Sequence, residues 1–210
     1  MLSIQHLCFA FGQQQLFSNL ELQLAPGLHW LSGANGSGKS SLLRMIAGLD
    51  KAQQGSIKFH QHQVGTAPYQ QLVAISADAV APLQDNTVLG VLQLVARCRG
   101  IALDQFMLHA RAFALEPLMQ QKVALLSLGQ QKKLSLSLAL ATQAQLLLLD
   151  EPFNALDPEA LSYCCAALMQ AQQRGALVLI ASHLSPQKFA VQINQHLELK
   201  AGGHLSIIAL

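Results

Sequence analysis

The chain carries Gly33-Ala34-Asn35-Gly36-Ser37-Gly38-Lys39-Ser40, a stretch that fits the pattern G-x-x-x-x-G-K-[ST] at every fixed position. Its three glycines let the backbone wrap an anion, and a helix that begins near Ser40 adds the positive end of its dipole. Lys39 would reach the β and γ phosphates of a nucleotide, and the Ser40 hydroxyl would bind Mg²⁺. The predicted nucleotide-binding residues here are Gly33, Ala34, Asn35, Gly36, Ser37, Gly38, Lys39, Ser40 and Ser41. We call residues 33–40 the phosphate loop.

The sequence around the phosphate loop supplies the context that the motif needs. Residues 28–32 form a short, mostly apolar run of strand length, and apolar residues recur at helical spacing from Leu42 to Ala47 before Gly48. A glycine-rich loop without a strand before it is more often a plain turn. The order of strand, loop, Lys-Ser and helix therefore favours phosphate binding.

Composition bounds the class of protein. A chain of 210 residues can build one large domain, and its charged fraction of 11% is low against a typical value of about 25%. The net charge of +2, without a Lys/Arg cluster, argues against a nucleic-acid partner. No apolar run reaches the roughly 18 residues that span a bilayer, and nothing at the N-terminus suggests export. We expect a cytoplasmic location, and reduced, buried thiols at Cys8, Cys98, Cys164 and Cys165.

Apolar periodicity predicts an α/β fold. Residues 1–25 indicate two or three antiparallel strands, and strands follow at residues 55–59, 72–76, 146–149 and 176–181, with edge strands near the C-terminus. Between them, residues 87–122 have helical spacing, with Thr87 and Asp104 as the residues that begin two helices.

Phe11 lies at a predicted turn between the first strands. An aromatic ring there could stack on adenine, and a core position is an equally good interpretation.

A second helix start lies at Ser127, where Ser followed three residues later by Gln130 forms a capping box. With the Gly129 backbone, this end offers a second anion-binding surface, although any capped helix has such an end.

Two carboxylates follow the continuous apolar run at residues 146–149. Acids at the end of a buried strand are costly unless they meet a cation or a positioned water. Asp150 fits a Mg²⁺ ligand and Glu151 a base for an attacking water; an acidic pair that starts a helix before Pro152 is the alternative. His183 ends the run at 176–181 and would converge on the same sheet edge, where it could contact a γ-phosphate, although a lone His is more often structural.

Taken together, these motifs resemble those of the ATP-binding subunits of ABC transporters, in the family's order and over nearly the whole chain. The phosphate loop resembles Walker A, and residues 126–130 resemble the signature. Residues 146–150 resemble Walker B, with Glu151 as its catalytic acid. Residues 154–157 resemble the D-loop, and His183 resembles the switch histidine. Phe11 stands where the family places its adenine-stacking aromatic. The resemblance implies one phosphate-loop NTPase domain over residues 1–210, with a mostly parallel sheet, an N-terminal antiparallel subdomain and a helical subdomain at about 87–137.

The resemblance further implies an ATPase with Mg²⁺ that forms a head-to-tail dimer with an identical or related subunit. ATP would lie between one subunit's Walker A and the other's signature segment, residues 126–130, with contacts to the γ-phosphate in trans. The chain has no membrane domain of its own, so separate integral membrane permease subunits are expected, which places it on the cytoplasmic face of the inner or plasma membrane. The expected signature residues are Ser127, Leu128, Gly129 and Gln130, and Asp157 is the expected D-loop acid.

Two positions depart from the family pattern. Leu128 replaces the usual glycine of the signature, and Asp78 stands near the position where the family has a Gln that binds Mg²⁺. An Asp could still ligate Mg²⁺, but the altered link to a membrane subunit motivates an alternative, a non-transport ABC ATPase that uses dimer closure for regulation or assembly. A phosphate-loop kinase is disfavoured, since it has no use for a signature segment. Within the family, residues 40–44, Leu128 and residues 150–157 are similar to the small ATPase subunit of cytochrome c maturation haem exporters.

Overall fold

The computed structural model describes residues 1–12, 14–76, 83–200 and 202–208, with the backbone only at Phe11 and Gln14. The strands are β1 (Leu2–Phe11), β2 (Gln14–Leu24), β3 (Gly27–Ser32), β4 (Gln54–Phe59), β5 (His62–Gln63), β6 (Val73–Ser76), β7 (Leu146–Asp150), β8 (Leu177–Ala181), β9 (Gln195–Leu199) and β10 (Leu205–Ile208). The helices are α1 (Lys39–Ile46), α2 (Ala67–Leu72), α3 (Val88–Arg99), α4 (Leu103–Ala112), α5 (Leu128–Ala141) and α6 (Pro158–Gln173). Asp78 lies outside the described residues. The predicted α/β class is confirmed.

A six-stranded sheet carries the centre of the molecule, with strand order β10-β9-β3-β8-β7-β6. Neighbouring strands from β9 to β6 are parallel, and only β10 pairs antiparallel. A strand buried on both faces should be apolar at every position, and β7 meets that rule. Leu147 and Leu149 enter one core cluster, whereas Leu146 and Leu148 enter the cluster on the opposite face.

The N-terminal strands form a separate antiparallel sheet in the order β2-β1-β4-β5, as the alternation in residues 1–25 predicts. The alternate residues Leu2, Ile4, Leu22 and Leu24 are buried and pack with the residues of α1. The phosphate loop therefore leads into a helix that lies between two sheets.

The helical segment begins as predicted, because Thr87 caps α3 by accepting a hydrogen bond from the Gly90 N–H at 3.0 Å. The prediction for Asp104 is wrong: Ala102 precedes α4, and Asp104 lies inside its first turn. The polar cap is replaced there by packing, because Phe106 and Ala110 are buried. A subdomain at about 87–137 stays a prediction, and α5 itself continues to Ala141 and contacts β6.

Three other predictions need correction. The strand predicted at residues 72–76 begins at Val73 as β6, because Leu72 is the last residue of the short helix α2. β9 is an interior strand between β3 and β10, so of these two C-terminal strands β10 alone is an edge strand; β6 is the edge strand on the other side of the sheet. Cys164 and Cys165 are buried as expected, whereas Cys98 is exposed on α3 and Cys8 is half-buried.

In the described part of the chain, no helix combines the length and apolarity needed to cross a membrane.

Candidate functional site

The phosphate loop connects β3 to α1, and glycine is required at its C-terminal end. Gly38 adopts φ 100°, ψ 10°, and a Cβ atom there would lie 2.9 Å from the ring of Phe17. Gly36 also has a positive φ, of 79°. These left-handed residues turn the chain so that α1 begins at Lys39 without a side chain over its N-terminus.

Lys39 is a buried cation, only 7% exposed. Its Nζ donates to the carbonyl oxygens of Gly33, at 2.8 Å, and Ala34, at 3.1 Å. Among the described residues, no carboxylate forms an ion pair with it. Burying a charge without a counter-ion is costly, so the loop is suited to an anionic ligand.

Ser37 provides a second sign of a missing partner. Its Oγ is buried and forms no hydrogen bond with any described residue. The first-turn N–H groups of α1 have no acceptor within the helix, because the first helical bond runs from Leu42 N to Gly38 O at 2.8 Å. Phosphate oxygens would satisfy all of these donors at once. Ser40 is exposed at the same helix end, as are Ala34, Asn35 and Gly36, and Ser41 is half-buried.

Strand register places the other predicted residues at the same sheet edge. Leu31, Ala181 and Asp150 lie in one row across β3, β8 and β7. Beyond this row, Ser182 N donates to Leu31 O at 3.0 Å, and Glu151 N donates to Ala181 O at 2.8 Å. The carboxyl ends of these strands therefore gather the phosphate loop, the acids and the histidine, as an open parallel sheet predicts.

Glu151 is the centre of a hydrogen-bonded cluster. Its Oε1 accepts from the backbone N of His183 at 2.9 Å and from His183 Nδ1 at 2.8 Å, and its Oε2 accepts from Ser182 Oγ at 2.8 Å. Glu151 itself has a φ of 45°, a strained conformation of the kind found at functional sites. The two predicted catalytic residues are therefore in direct contact.

Asp150 is half-buried at the end of β7, and its backbone oxygen accepts a hydrogen bond from Lys132 Nζ at 3.0 Å. Within residues 1–12, 14–76, 83–200 and 202–208 there is no group of three His, Cys, Asp or Glu side chains that could hold a metal alone. Asp150 and the Ser40 hydroxyl are oxygen donors of the type that Mg²⁺ takes when phosphates and waters complete its shell.

The signature segment has the predicted capping box. Ser127 Oγ accepts from Gln130 N at 3.3 Å, and Gln130 Oε1 accepts from Ser127 N at 2.9 Å. Ser127 and Leu128 are exposed, and Leu128 is 82% accessible. Gly129 is half-buried, and a Cβ atom on it would lie 2.8 Å from Ala155 O. The start of α5 is therefore open to a neighbouring molecule.

Asp157 precedes α6 and caps it by accepting from Ala160 N at 2.8 Å. It also forms an ion pair with Lys133 of α5. The Lys133 ammonium, together with the Ala160 N–H, lowers the pKa of the Asp157 carboxyl below its usual value. Through its ion pair with Lys133, Asp157 thus links α5 to the segment that follows β7.

Sequence reasoning missed Ser182, Lys132 and Lys133. Ser182 stands directly before His183, and the two lysines are the charged residues of α5, which was the available signal. The structure describes no side chain for Phe11, so the adenine-stacking prediction stays a prediction, as does the role of Asp78.

Known proteins resemble this chain in sequence and in fold. A family model described as ABC transporter matches residues 17–154. The cytochrome c biogenesis ATP-binding export protein CcmA of Albidiferax ferrireducens is 34% identical over 210 residues, which covers 95% of this chain and 97% of that protein. The aliphatic sulfonates import ATP-binding protein SsuB 3 of Nocardia farcinica is 38% identical over 183 residues, 83% of this chain and 67% of that protein.

Among solved structures, an ATP-binding cassette in a dimeric post-hydrolysis state bound to ADP and Pi aligns with a TM-score of 0.80 at 18% identity. The alignment covers 100% of both chains, so the whole fold is shared.

Proposed function

This chain belongs to the ABC transporter family, and from that membership we propose that the sheet edge around the phosphate loop binds ATP with Mg²⁺ and hydrolyses it. The chain is an ATPase subunit of the transport type, with ATP hydrolysis as its activity. The residue roles, the metal and the partners given below are our proposal.

One observation carries the proposal: among the described residues, the buried Lys39 ammonium has hydrogen bonds only to backbone carbonyls, and the nearby Ser37 hydroxyl has no partner. The start of α1 beside them has no side-chain cap. A polyphosphate supplies what each group lacks, because its oxygens accept hydrogen bonds and carry negative charge. Lys39 would exchange its carbonyl partners for the β and γ phosphates.

The remaining polar groups of the edge are suited to hydrolysis. Glu151 would orient and deprotonate the attacking water. The His183 ring, which here contacts Glu151 through Nδ1, would turn to donate an N–H to the γ-phosphate. Ser40 and Asp150 would hold Mg²⁺, which when bound neutralises charge on the β and γ phosphates.

We infer that two such subunits sandwich ATP, because the start of α5 leaves Ser127 exposed for an acceptor on another molecule. Ser127 and Gly129 of one copy would contact the γ-phosphate bound by the other copy, with Gln130 holding the helix start in place. Leu128 would then be buried at the contact and would limit how closely α5 approaches the nucleotide. ATP would close the dimer and hydrolysis would open it.

Transport requires integral membrane subunits, and we propose that this chain attaches to them at the cytoplasmic face of the membrane. Relatives named as exporters and as importers match it to a similar extent. Haem export in cytochrome c maturation is one candidate, because the CcmA relative spans almost the whole chain. Copurification from membranes tests the attachment: a stoichiometric integral membrane protein supports transport, whereas its absence supports a regulatory ATPase.

The chemical role is tested by Glu151→Gln and Lys39→Ala. Glu151→Gln should retain ATP binding, slow hydrolysis by about 10²- to 10⁴-fold and trap an ATP-bound dimer in gel filtration. Lys39→Ala should lose nucleotide affinity in a direct titration. Parental turnover in Glu151→Gln would contradict the assignment of the base, and parental affinity in Lys39→Ala the assignment of the phosphate site. Lys200→Ala, at an exposed position, is the control.

A further inference from the structure

Ser182 is a buried residue that directly precedes His183 and contacts Glu151. Its side chain is 1% exposed, and its Oγ is 2.8 Å from Glu151 Oε2. The same Oγ lies 3.1 Å from the backbone N of Leu184. Ser182 thus connects the segment after β8, which also carries His183, to the Glu151 carboxylate after β7.

The direction of these hydrogen bonds follows from the donors. The Leu184 N–H can only donate, so Ser182 Oγ accepts from it. The hydroxyl proton is then directed to Glu151 Oε2, which can only accept while it is ionised. Because one lone pair of the hydroxyl accepts from Leu184 while its proton is donated to Glu151, the hydroxyl has one preferred orientation. That orientation holds the second oxygen of the carboxylate in place.

Leu184 is itself fixed from the other side. Trp30 Nε1 in β3 donates to Leu184 O at 3.2 Å. The Trp30 ring stacks on Phe153 at 5.9 Å and on Phe189 at 5.6 Å between ring centroids. Trp30 is fully buried, so Leu184, whose N–H donates to Ser182, is tied through its carbonyl group to β3.

The two oxygens of Glu151 therefore have different partners. Oε1 is held by His183, whose side chain is 47% exposed, whereas Oε2 is held by the buried Ser182. If the His183 ring turned to a nucleotide, the bond from its Nδ1 would change, whereas the bond from the buried Ser182 would not need to change.

We propose that Ser182 is a positioning residue for hydrolysis: its hydroxyl holds Oε2 of Glu151 so that the carboxylate keeps its orientation toward the attacking water. The inference depends on the proposed role of Glu151 as base. It predicts an effect on the chemical step and none on nucleotide binding. Among the described residues, Ser182 forms hydrogen bonds with Glu151, Leu184 and Leu31, and none of these lies in the phosphate loop.

The test measures steady-state ATP hydrolysis by the full chain. Ser182→Ala should lower kcat about 10- to 100-fold, the worth of one hydrogen bond to a charged group, and leave KM within about twofold. Ser182→Thr keeps a hydroxyl at the same place and should restore most of kcat. Ser137→Ala is the matched control, because Ser137 is also buried but its Oγ bonds only to Lys133 O within α5, at 2.8 Å.

Parental kcat in Ser182→Ala, a failure of Ser182→Thr to restore kcat, or an equal loss in Ser137→Ala would each overturn the proposal. If Ser182→Ala does not fold, Ser182→Cys decides, because the thiol fills a similar space but is only a weak hydrogen-bond donor. A parental kcat in Ser182→Cys would then overturn the proposal. Glu151→Gln separates the two levels of inference: its parental turnover would refute the proposed function, whereas an inactive Glu151→Gln with a fully active Ser182→Ala refutes only the role of Ser182.

Discussion

Gly129 approaches Ala155 so closely that a Cβ atom on it would lie 2.8 Å from the Ala155 carbonyl oxygen. Ala155 has a φ of 59°, so its peptide is already held in a left-handed conformation and has little freedom to move away. The start of the signature helix and the segment after β7 are therefore packed against each other within one chain.

Gly129→Ala should force these two segments apart. We expect the free energy of unfolding to fall by about 1–3 kcal/mol, the usual cost of overpacking, and ATP hydrolysis to fall at the same time. Denaturant titration and steady-state ATPase assays measure both. Gly90→Ala is the comparison, because Gly90 also lies in a first helical turn but its Cβ would lie 3.1 Å from a side-chain atom, Thr87 Oγ1; a smaller loss of stability is expected there. Parental stability in Gly129→Ala would show that the contact is loose.

Asp157 should stabilise the start of α6 in two ways. Asp157→Ala removes the cap and should cost about 1 kcal/mol in the free energy of unfolding, whereas Asp157→Asn keeps an acceptor and should cost less. Because the folded state lowers the Asp157 pKa, its contribution is present above the unfolded value near 3.8 and is lost as pH falls below it. Denaturant titrations at pH 7 and pH 3 should therefore show a larger difference between wild type and Asp157→Ala at pH 7. Glu159→Gln, in the same helical turn, is the control for charge alone.

His29 in β3 should make the protein less stable in mild acid. Burial lowers the pKa of His29 from its usual value of 6.5, and its Nε2 donates to Ala25 O at 2.9 Å. The unfolded chain therefore takes up a proton near pH 6.5 that the folded chain resists, and the free energy of unfolding falls as pH drops below that value. His29→Gln should flatten this dependence between pH 7.5 and 5.5. His204→Gln, at an exposed position, serves as the comparison; an unchanged slope in His29→Gln would argue against the prediction.

The four thiols should react with an alkylating reagent in an order set by burial. Cys98 is exposed and should be labelled first, and the half-buried Cys8 should follow. Burial raises the pKa of both Cys164 and Cys165, so they lack the thiolate that reacts and should be labelled only after unfolding. Mass spectrometry of peptides from native and urea-treated protein measures the order. Fast labelling of Cys164 in the native protein would show that α6 opens locally.

Local sequence determined much of the fold because the interactions concerned are local. The phosphate loop follows from glycines that allow φ of 79° and 100°, and the capping box at Ser127 needs only a residue three positions away. The continuous apolar run of β7 likewise predicts that the strand is buried, because a strand covered on both faces requires apolar residues at every position. Where local signals were ambiguous the prediction was wrong. Helical spacing placed the start of α4 at Asp104, whereas Ala102 is the residue that precedes the helix.

Tertiary structure alone decided which side chains meet. Glu151 and Ser182 are 31 residues apart, and they touch because β7 and β8 pair in parallel with Asp150 opposite Ala181. A shift of one residue in this register would turn the side chains of β8 to the opposite face, and no local pattern records the register. The exposure of Leu128 and the interior place of β9 were decided in the same way. The sequence determined the loop and the helix that follows it, because both depend on neighbouring residues; the pairing of distant strands decided how Glu151 is held.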